Sequence, residues 1–178
     1  MPDFIPFPKM SRWSRDVVIT EKIDGTNAQI FIGEDSEFLT GSRTRWITPE
    51  DDNYGFSCWA HEHKDELLLL GPGQHFGEWW GAGIQRRYDM VEKVFSLFNV
   101  GRWNTDNIPS CVRVVPTLYK GMLEPQTVLN TLDAICESGS IASPGFIKPE
   151  GIVIFHTAAS VLFKKTLDKD EVPKGFLT

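Results

Sequence analysis

The segment Val17–Gly33 constrains the fold most. VVITE, from Val17 to Glu21, is β-rich, Asp24-Gly25 is a turn signal, and NAQIFIG resumes as a second strand ending at Gly33. The same grammar of short apolar runs cut by glycine or proline recurs. FLTGSR reads as a short strand, Gln74 to Trp80 and Lys93 to Val100 as longer ones, and Val112 to Tyr119 as a strand interrupted or ended near Pro116. Gly151–Phe155 and Ser160–Leu167 are the last strands, and Pro49–Phe56 is polar enough to be a loop. Two segments read as helix. Cys58 to Leu70 is closed by Gly71 and Pro72; Pro125 to Ser138 sets Val128, Leu129, Leu132, Ile135 and Cys136 on one face and stops at Gly139. Many strands, few helices and no βαβ alternation predict an α+β fold of mostly antiparallel sheets flanked by a few helices. At 178 residues the expectation is a single domain over 1–178.

Composition excludes several classes. No apolar run is long enough to span a bilayer, and MPDFIPFPKM has neither the basic leader nor the apolar core of a signal peptide, so a cytoplasmic location is expected. Pro2–Pro8 reads as an extended arm. Cys58, Cys111 and Cys136 are odd in number and form no CxxC pair; they are read as free thiols, most of them buried. His61 and His63 are two apart on a helix and do not share a face, which is not metal-ligand spacing. The net charge of -6 opposes nucleic-acid binding in bulk, so an RNA partner would need a local basic patch and would be held with strong salt sensitivity.

Chemistry concentrates in a few places. In Glu21-Lys22-Ile23-Asp24-Gly25-Thr26-Asn27 a strand runs into a turn, so Lys22 and Asp24 project to the same side. The plain reading is a surface ion pair; the chemical one is an amine nucleophile. A free lysine is almost wholly protonated at neutral pH, so a nucleophile needs cationic neighbours or a metal beside it. In Phe76-Gly77-Glu78-Trp79-Trp80-Gly81, alternation puts Glu78 between Phe76 and Trp80 on one face. A glutamate there either faces solvent or accepts hydrogen bonds from a ligand such as a ribose. In Lys93–Val100, Phe95 and Leu97 share one face and Ser96, Phe98 and Val100 the other; either one phenylalanine faces a cleft and stacks on a purine, or both are core. Glu150 stands at the mouth of a buried strand, and Lys164 and Lys165 lie late in the last one, where lysines also protect edges. Arg86-Arg87 and the Arg12-Trp13-Arg15 cluster are either RNA contacts or ordinary surface and arm residues.

The order of these pieces is more specific than any one of them. A strand-borne K-x-D-G, then Gly-Ser-Arg, F-G-E-W, an aromatic strand, E-G-I-V-I and a lysine-bearing strand resemble the covalent nucleotidyltransferase superfamily of DNA ligases, RNA ligases and mRNA capping enzymes. EKIDGTN and FGEWWGAGIQRRYD resemble most the RNA ligase 2-like group, and the likeness runs from about Thr20 to about Thr166.

The resemblance implies a nucleotidyltransferase (ligase adenylation) fold and an ATP-dependent RNA ligase. Lys22 would be the nucleophile carrying AMP, with the AMP passed to a 5′-phosphate and then displaced by a 3′-hydroxyl. It implies that Glu21 lies near the adenine and that Asp24 assists the phosphate or metal. Gly25 and Asn27 would belong to the nucleotide site, with Asn27 and Arg43 tied to phosphates. Glu78 would hold the ribose, Phe98 would stack on adenine, Glu150 would act near the metal, and Lys164 and Lys165 would neutralise the α-phosphate. ATP, with Mg2+ or Mn2+, and RNA as a nicked duplex or as single-strand ends are the implied ligands, with a separate nucleic-acid-binding protein as a further partner. The sequence departs from the group in two ways. Relatives often read Lys-x-Lys in the last motif, whereas here the lysines are adjacent and alternation favours Lys164 as the inward one. Many relatives also carry a domain beyond that motif, and none is expected here. A DNA ligase core, a capping-type enzyme and a nucleotide-binding module without turnover remain the alternative readings.

Overall fold

In the computed structural model, residues 2–168 and 170 are described, and they form ten strands, three α-helices and one 3-10 turn. The larger sheet contains β2 (Thr26–Ile32), β3 (Phe38–Gly41), β4 (Trp46–Ile47), β5 (Gly73–Gly81), β6 (Lys93–Leu97) and β7 (Val112–Val114), in the order β4-β3-β2-β5-β6-β7. All its pairings are antiparallel except β6 with β7. The smaller sheet contains β1 (Asp16–Lys22), β8 (Thr117–Met122), β9 (Gly151–His156) and β10 (Val161–Thr166), in the order β10-β9-β1-β8, and is wholly antiparallel. The expected α+β class with mostly antiparallel sheets is the observed one.

Consecutive strands β1 and β2 therefore lie in different sheets, and the turn at Ile23–Gly25 is the crossing between them. The stretch read as one strand from Val112 to Tyr119 is likewise two strands in two sheets. Pro116 stands between them, with no N–H to give to a ladder. Val115 N–H still donates to Leu97 O in the larger sheet (3.0 Å), while Pro116 O accepts Glu21 N–H in the smaller (2.9 Å).

Each sheet buries one face. Ala28, Ile30 and Ile32 of β2 alternate inward, with Trp79, Phe95 and Leu97 beside them, against Phe56 and Ala60 of α1 (Phe56–Glu62) and Leu67 of α2 (Lys64–Leu67). The smaller sheet buries Val17, Ile19, Ile152 and Ile154 against α3 (Pro125–Ser138), whose bounds are those read from sequence. The apolar stripe of α3 is narrower than expected. Val128, Leu132 and Ile135 pack, but Leu129 is 46% exposed and Cys136 is exposed. A third cluster, with Ile23, Trp80, Tyr88 and Val115 buried, closes the two sheets on each other at one end.

Three further expectations are corrected. The helix read over Cys58–Leu70 breaks at His63 (φ -104°, ψ 17°), whose ring lies on Trp59 with 4.9 Å between centroids, and it ends as a 3-10 turn at Leu68–Leu70. The strand read to Val100 stops at Leu97, where turns begin. The cysteines are not mostly buried: Cys58 and Cys136 are exposed and Cys111 is half-buried. Cys58 lies on the outer side of a short helix, where burial offers a thiol nothing.

Gly77 is set by packing. A Cβ there would meet Phe95 Cε2 at 2.5 Å and press on Ser96 O. Gly77→Ala is expected to destabilise the protein by about 1–3 kcal/mol, the usual range for overpacking. The check is a urea midpoint shift at unchanged m-value.

Candidate active site

The crossing between the sheets carries Lys22, Asp24 and Gly25. Ile23 anchors it, 4% exposed in the third cluster, and the side chains on either side of it are only partly buried. Lys22, the last residue of β1, stands opposite Gly151 in β9, so the residue before Gly151 meets it. Lys22 Nζ lies 2.6 Å from Glu150 Oε2, with the two side chains 22% and 12% exposed. Residues 128 positions apart are thus joined in a partly shielded ion pair.

Glu78 is the buried acid, 7% exposed. It stands opposite Asn27 in β2 and Ser96 in β6, on the face of the larger sheet away from α1. Gly25 N–H donates to its Oε1 (3.0 Å) and Asn27 Nδ2 donates to its Oε2 (3.0 Å). The sequence offered solvent or a ligand as its partner; the first partner is the turn itself. A carboxylate has about four acceptor positions, so two donors leave capacity for a ligand's hydroxyls. Gly25 permits the contact, since a Cβ there would lie 2.5 Å from Trp79 O and 2.7 Å from Trp80 Cβ. Burial pushes the Glu78 carboxyl up to about 7, with Lys22 and the Gly25 N–H working against it and Glu150 working with it.

Asp24 is held from the other side by residues 84–90. Its N–H donates to Tyr88 Oη (2.8 Å), and its Oδ2 accepts from Arg86 Nε (3.1 Å). Arg86 also donates to Lys148 O (3.1 Å) and Asp168 Oδ2 (3.3 Å), tying the turn to the chain before Glu150 and after β10. Gln85, Arg87, Tyr88 and Asp89 all have positive φ (44°, 60°, 51° and 52°), a conformation costly for residues with a Cβ. That run of left-handed residues aims Arg86 and Tyr88 inward. Of the Arg86-Arg87 pair, Arg87 is exposed and Arg86 is taken up inside the protein. Arg86 and Tyr88 as partners of Asp24 were not legible in the sequence, because four of the five residues 85–89, of no unusual type, adopt an unusual backbone.

The other candidates divide. Glu21 is 1% exposed and points to the α3 side, where its carboxylate accepts from Ser140 Oγ (2.5 Å), Ile141 N–H (2.9 Å) and Ala142 N–H (2.8 Å). Burial raises its carboxyl above the ordinary range, and those three donors pull the other way. Its side chain is therefore a latch on residues 140–142, and only its backbone runs beside Lys22. Phe98, just past the end of β6, is 39% exposed, and its N–H donates to Phe76 O (3.0 Å). Arg43 is exposed in the turn between β3 and β4, with no ion pair among the described residues. Lys164 stands opposite Val153, which stands opposite Thr20, so it shares the sheet face of Lys22. Lys165 is on the α3 face and pairs with Asp170 (2.6 Å). The cationic ring expected around Lys22 is thus sparse, and its first neighbours are acids. Among the described residues no group of three or more His, Cys, Asp or Glu has metal-binding geometry.

An amine at a sheet crossing, an acid in contact with it and a buried acid close by thus lie together in a domain of α+β class. A model of the RNA ligase family matches residues 15–166, and the chain belongs to that family. Its fold is that of Naegleria gruberi RNA ligase. One apo variant of that protein aligns with a TM-score of 0.64 at 18% identity, covering 93% of this chain and 57% of that one. A variant solved with ATP and Mn aligns at 0.62 and 18%, covering 85% and 49%, and one with AMP and Mn at 0.64 and 18%, covering 93% and 57%. This chain spans about half the length of those proteins. No described helix is long and apolar enough to cross a membrane.

Glu78 yields a pH prediction. Its folded carboxyl titrates near 7 against an ordinary 4.5, so the folded state holds the extra proton between those values. Its contribution is fully present below about 4.5 and is lost as pH rises through 7. Glu78→Gln is expected to flatten the fall in melting temperature between pH 5 and pH 8. Melts of both proteins across that range check it.

Proposed function

We propose that the chain is the adenylating part of an ATP-dependent RNA ligase, with Lys22 as the nucleophile. The Lys22–Glu150 pair, drawn together from opposite ends of the chain beside the buried Glu78, is the observation that carries the reading. To react, the amine leaves that contact, gives up one proton to solvent before it attacks the α-phosphorus of ATP, and sheds a second as the bond to phosphorus forms. A nitrogen–phosphorus bond forms, the bond to the β-phosphate oxygen breaks, and pyrophosphate departs. The AMP then passes to an RNA 5′-phosphate, and a 3′-hydroxyl displaces it to seal the strand.

The protein's own groups serve positioning more than proton transfer, as befits phosphoryl chemistry. Glu78 has acceptor capacity left for ribose hydroxyls, and Phe98 is exposed enough to stack on a base. Lys164 shares the face of Lys22 and is the better-placed cation for the α-phosphate; Lys165 is turned away. Arg43 offers a forked donor to phosphate. A divalent ion, as Mn in the Naegleria structures, fits one feature here, the carboxylate of Glu150 beside Lys22. With no three-ligand cluster among the described residues, Glu150 would share such an ion with phosphate oxygens and water, as Mg2+ and Mn2+ commonly are held. The ion would supply charge neutralisation on the phosphates. Asp24 is engaged by Arg86 and serves the turn first.

The test uses α-labelled ATP with Mg2+ or Mn2+, followed by denaturation. Wild type is expected to retain covalent label and Lys22→Ala none. Glu150→Ala is expected to lose at least about 100-fold in rate, the scale for losing one group that stabilises transition-state charge. Label from GTP alone would point to a capping-type enzyme. Reversible nucleotide binding without label would point to a module without turnover.

A further inference from the structure

The face of the larger sheet that carries Glu78 continues past the nucleotide site as an uncovered aromatic platform. The third cluster covers this face at Trp80; in the next row Glu78 and Ser96 are still buried and Asn27 is exposed. One row further out, Gln29 stands opposite Phe76 on one side and Gly41 on the other, and Gly41 stands opposite Trp46. The next row carries Phe31 opposite Gln74. In β2 the inward residues are all aliphatic, and those on this face are Asn27, Gln29 and Phe31.

The rings on this face are held open. Phe76 is 55% exposed and Trp46 49%. Trp46 meets Phe31 edge-on at 6.4 Å between centroids. A Cβ on Gly41 would meet Gln29 Cγ at 2.8 Å and Trp46 Cε3 at 3.0 Å, so that glycine lets both lie against the sheet. Gln29 is pinned by Ser42 O (2.9 Å) and by the side chain of Gln74. Exposed aromatic rings on a pinned polar floor, continuous with a nucleotide site, mark a binding surface more than a piece of missing core. Arg43 stands in the turn that ends the platform, a cation suited to phosphate, and Arg45 beside it is already paired with Asp51.

We infer that this platform binds single-stranded RNA at the end to be joined, its bases stacking on Trp46 and Phe76 while Arg43 meets the backbone. Stacking suits this chain because it does not depend on net charge, and the chain carries -6 overall. A base within a continuous duplex keeps both faces covered by its neighbours and cannot lie on a ring. The inference rests on the RNA-joining reading and names the form of its substrate.

The test is anisotropy of a fluorescein-labelled, 5′-phosphorylated 12-mer of single-stranded RNA, and of a blunt hairpin of the same length, bound to the full chain. Trp46→Ala and Phe76→Ala are each expected to weaken single-strand binding about tenfold, the scale of one lost stack. Hairpin affinity should stay unchanged, and Trp46→Phe should restore most of the loss. Arg43→Ala should reduce the salt slope by about one, whereas the ring variants leave it alone. Unchanged single-strand affinity in both ring variants, or equal weakening on the hairpin, would overturn the inference. So would a wild-type dimer that the ring variants dissociate without loss of RNA affinity, since a second copy would then own the face. Covalent AMP labelling keeps the two readings apart. Label with ring-independent RNA binding sinks the platform alone, and ring-dependent binding without label sinks the ligase reading alone.

Discussion

The hydrogen bond from Gly25 N–H to the buried carboxylate of Glu78 ties the two sheets together at the point where the chain passes from one to the other. It demands a glycine, because β5 comes too close for any Cβ. It demands an acid, because Gly25 and Asn27 both present donors to the same side chain. With that turn pinned, Lys22 is set at the end of β1 against Glu150, and Asp24 is presented to Arg86 and Tyr88. Glu78 sits at this junction as a structural acceptor with lone pairs to spare, and its burial keeps it near its point of titration.

Three acids around the motif have three environments. Glu150 faces an amine, Asp24 faces a guanidinium, and Glu21 faces a hydroxyl and two backbone N–H groups. Only in the first pair would breaking the contact release an amine. The other two hold segments of chain: Arg86 links the turn to residues 148 and 168, and Glu21 links β1 to residues 140–142. In the proposed reaction the supporting groups therefore outnumber the reacting ones, as expected where rate comes from position and fixed charge.

Adjacent lysines show how far local rules reach. Alternation alone sends Lys164 and Lys165 to opposite faces, and β10 obeys it: Lys164 joins the face of Lys22, and Lys165 turns to Asp170. Alternation also separated Glu78 from Trp79, since a side chain in a strand has only two directions. The helix at Pro125–Ser138 was bounded by its proline and glycine. The break at His63 and the handover at Pro116 were less visible, because the first turns on a ring stacking on Trp59 and the second on which sheet receives each half of the stretch.

By itself the sequence determined the class of fold, the strand-borne K-x-D-G turn, the face on which each strand residue lies and the list of chemical groups available. Those follow from dihedral preference and period, which act over a few residues. Only the tertiary structure decided which groups meet. It brought Glu150 to Lys22, gave Glu78 to Gly25 and Asn27, turned Arg86 inward on four left-handed residues, and left Trp46 and Phe76 uncovered on a shared face. Such pairings depend on how two sheets close on each other, and closure is a property of the packed clusters between them, not of any local run of residues.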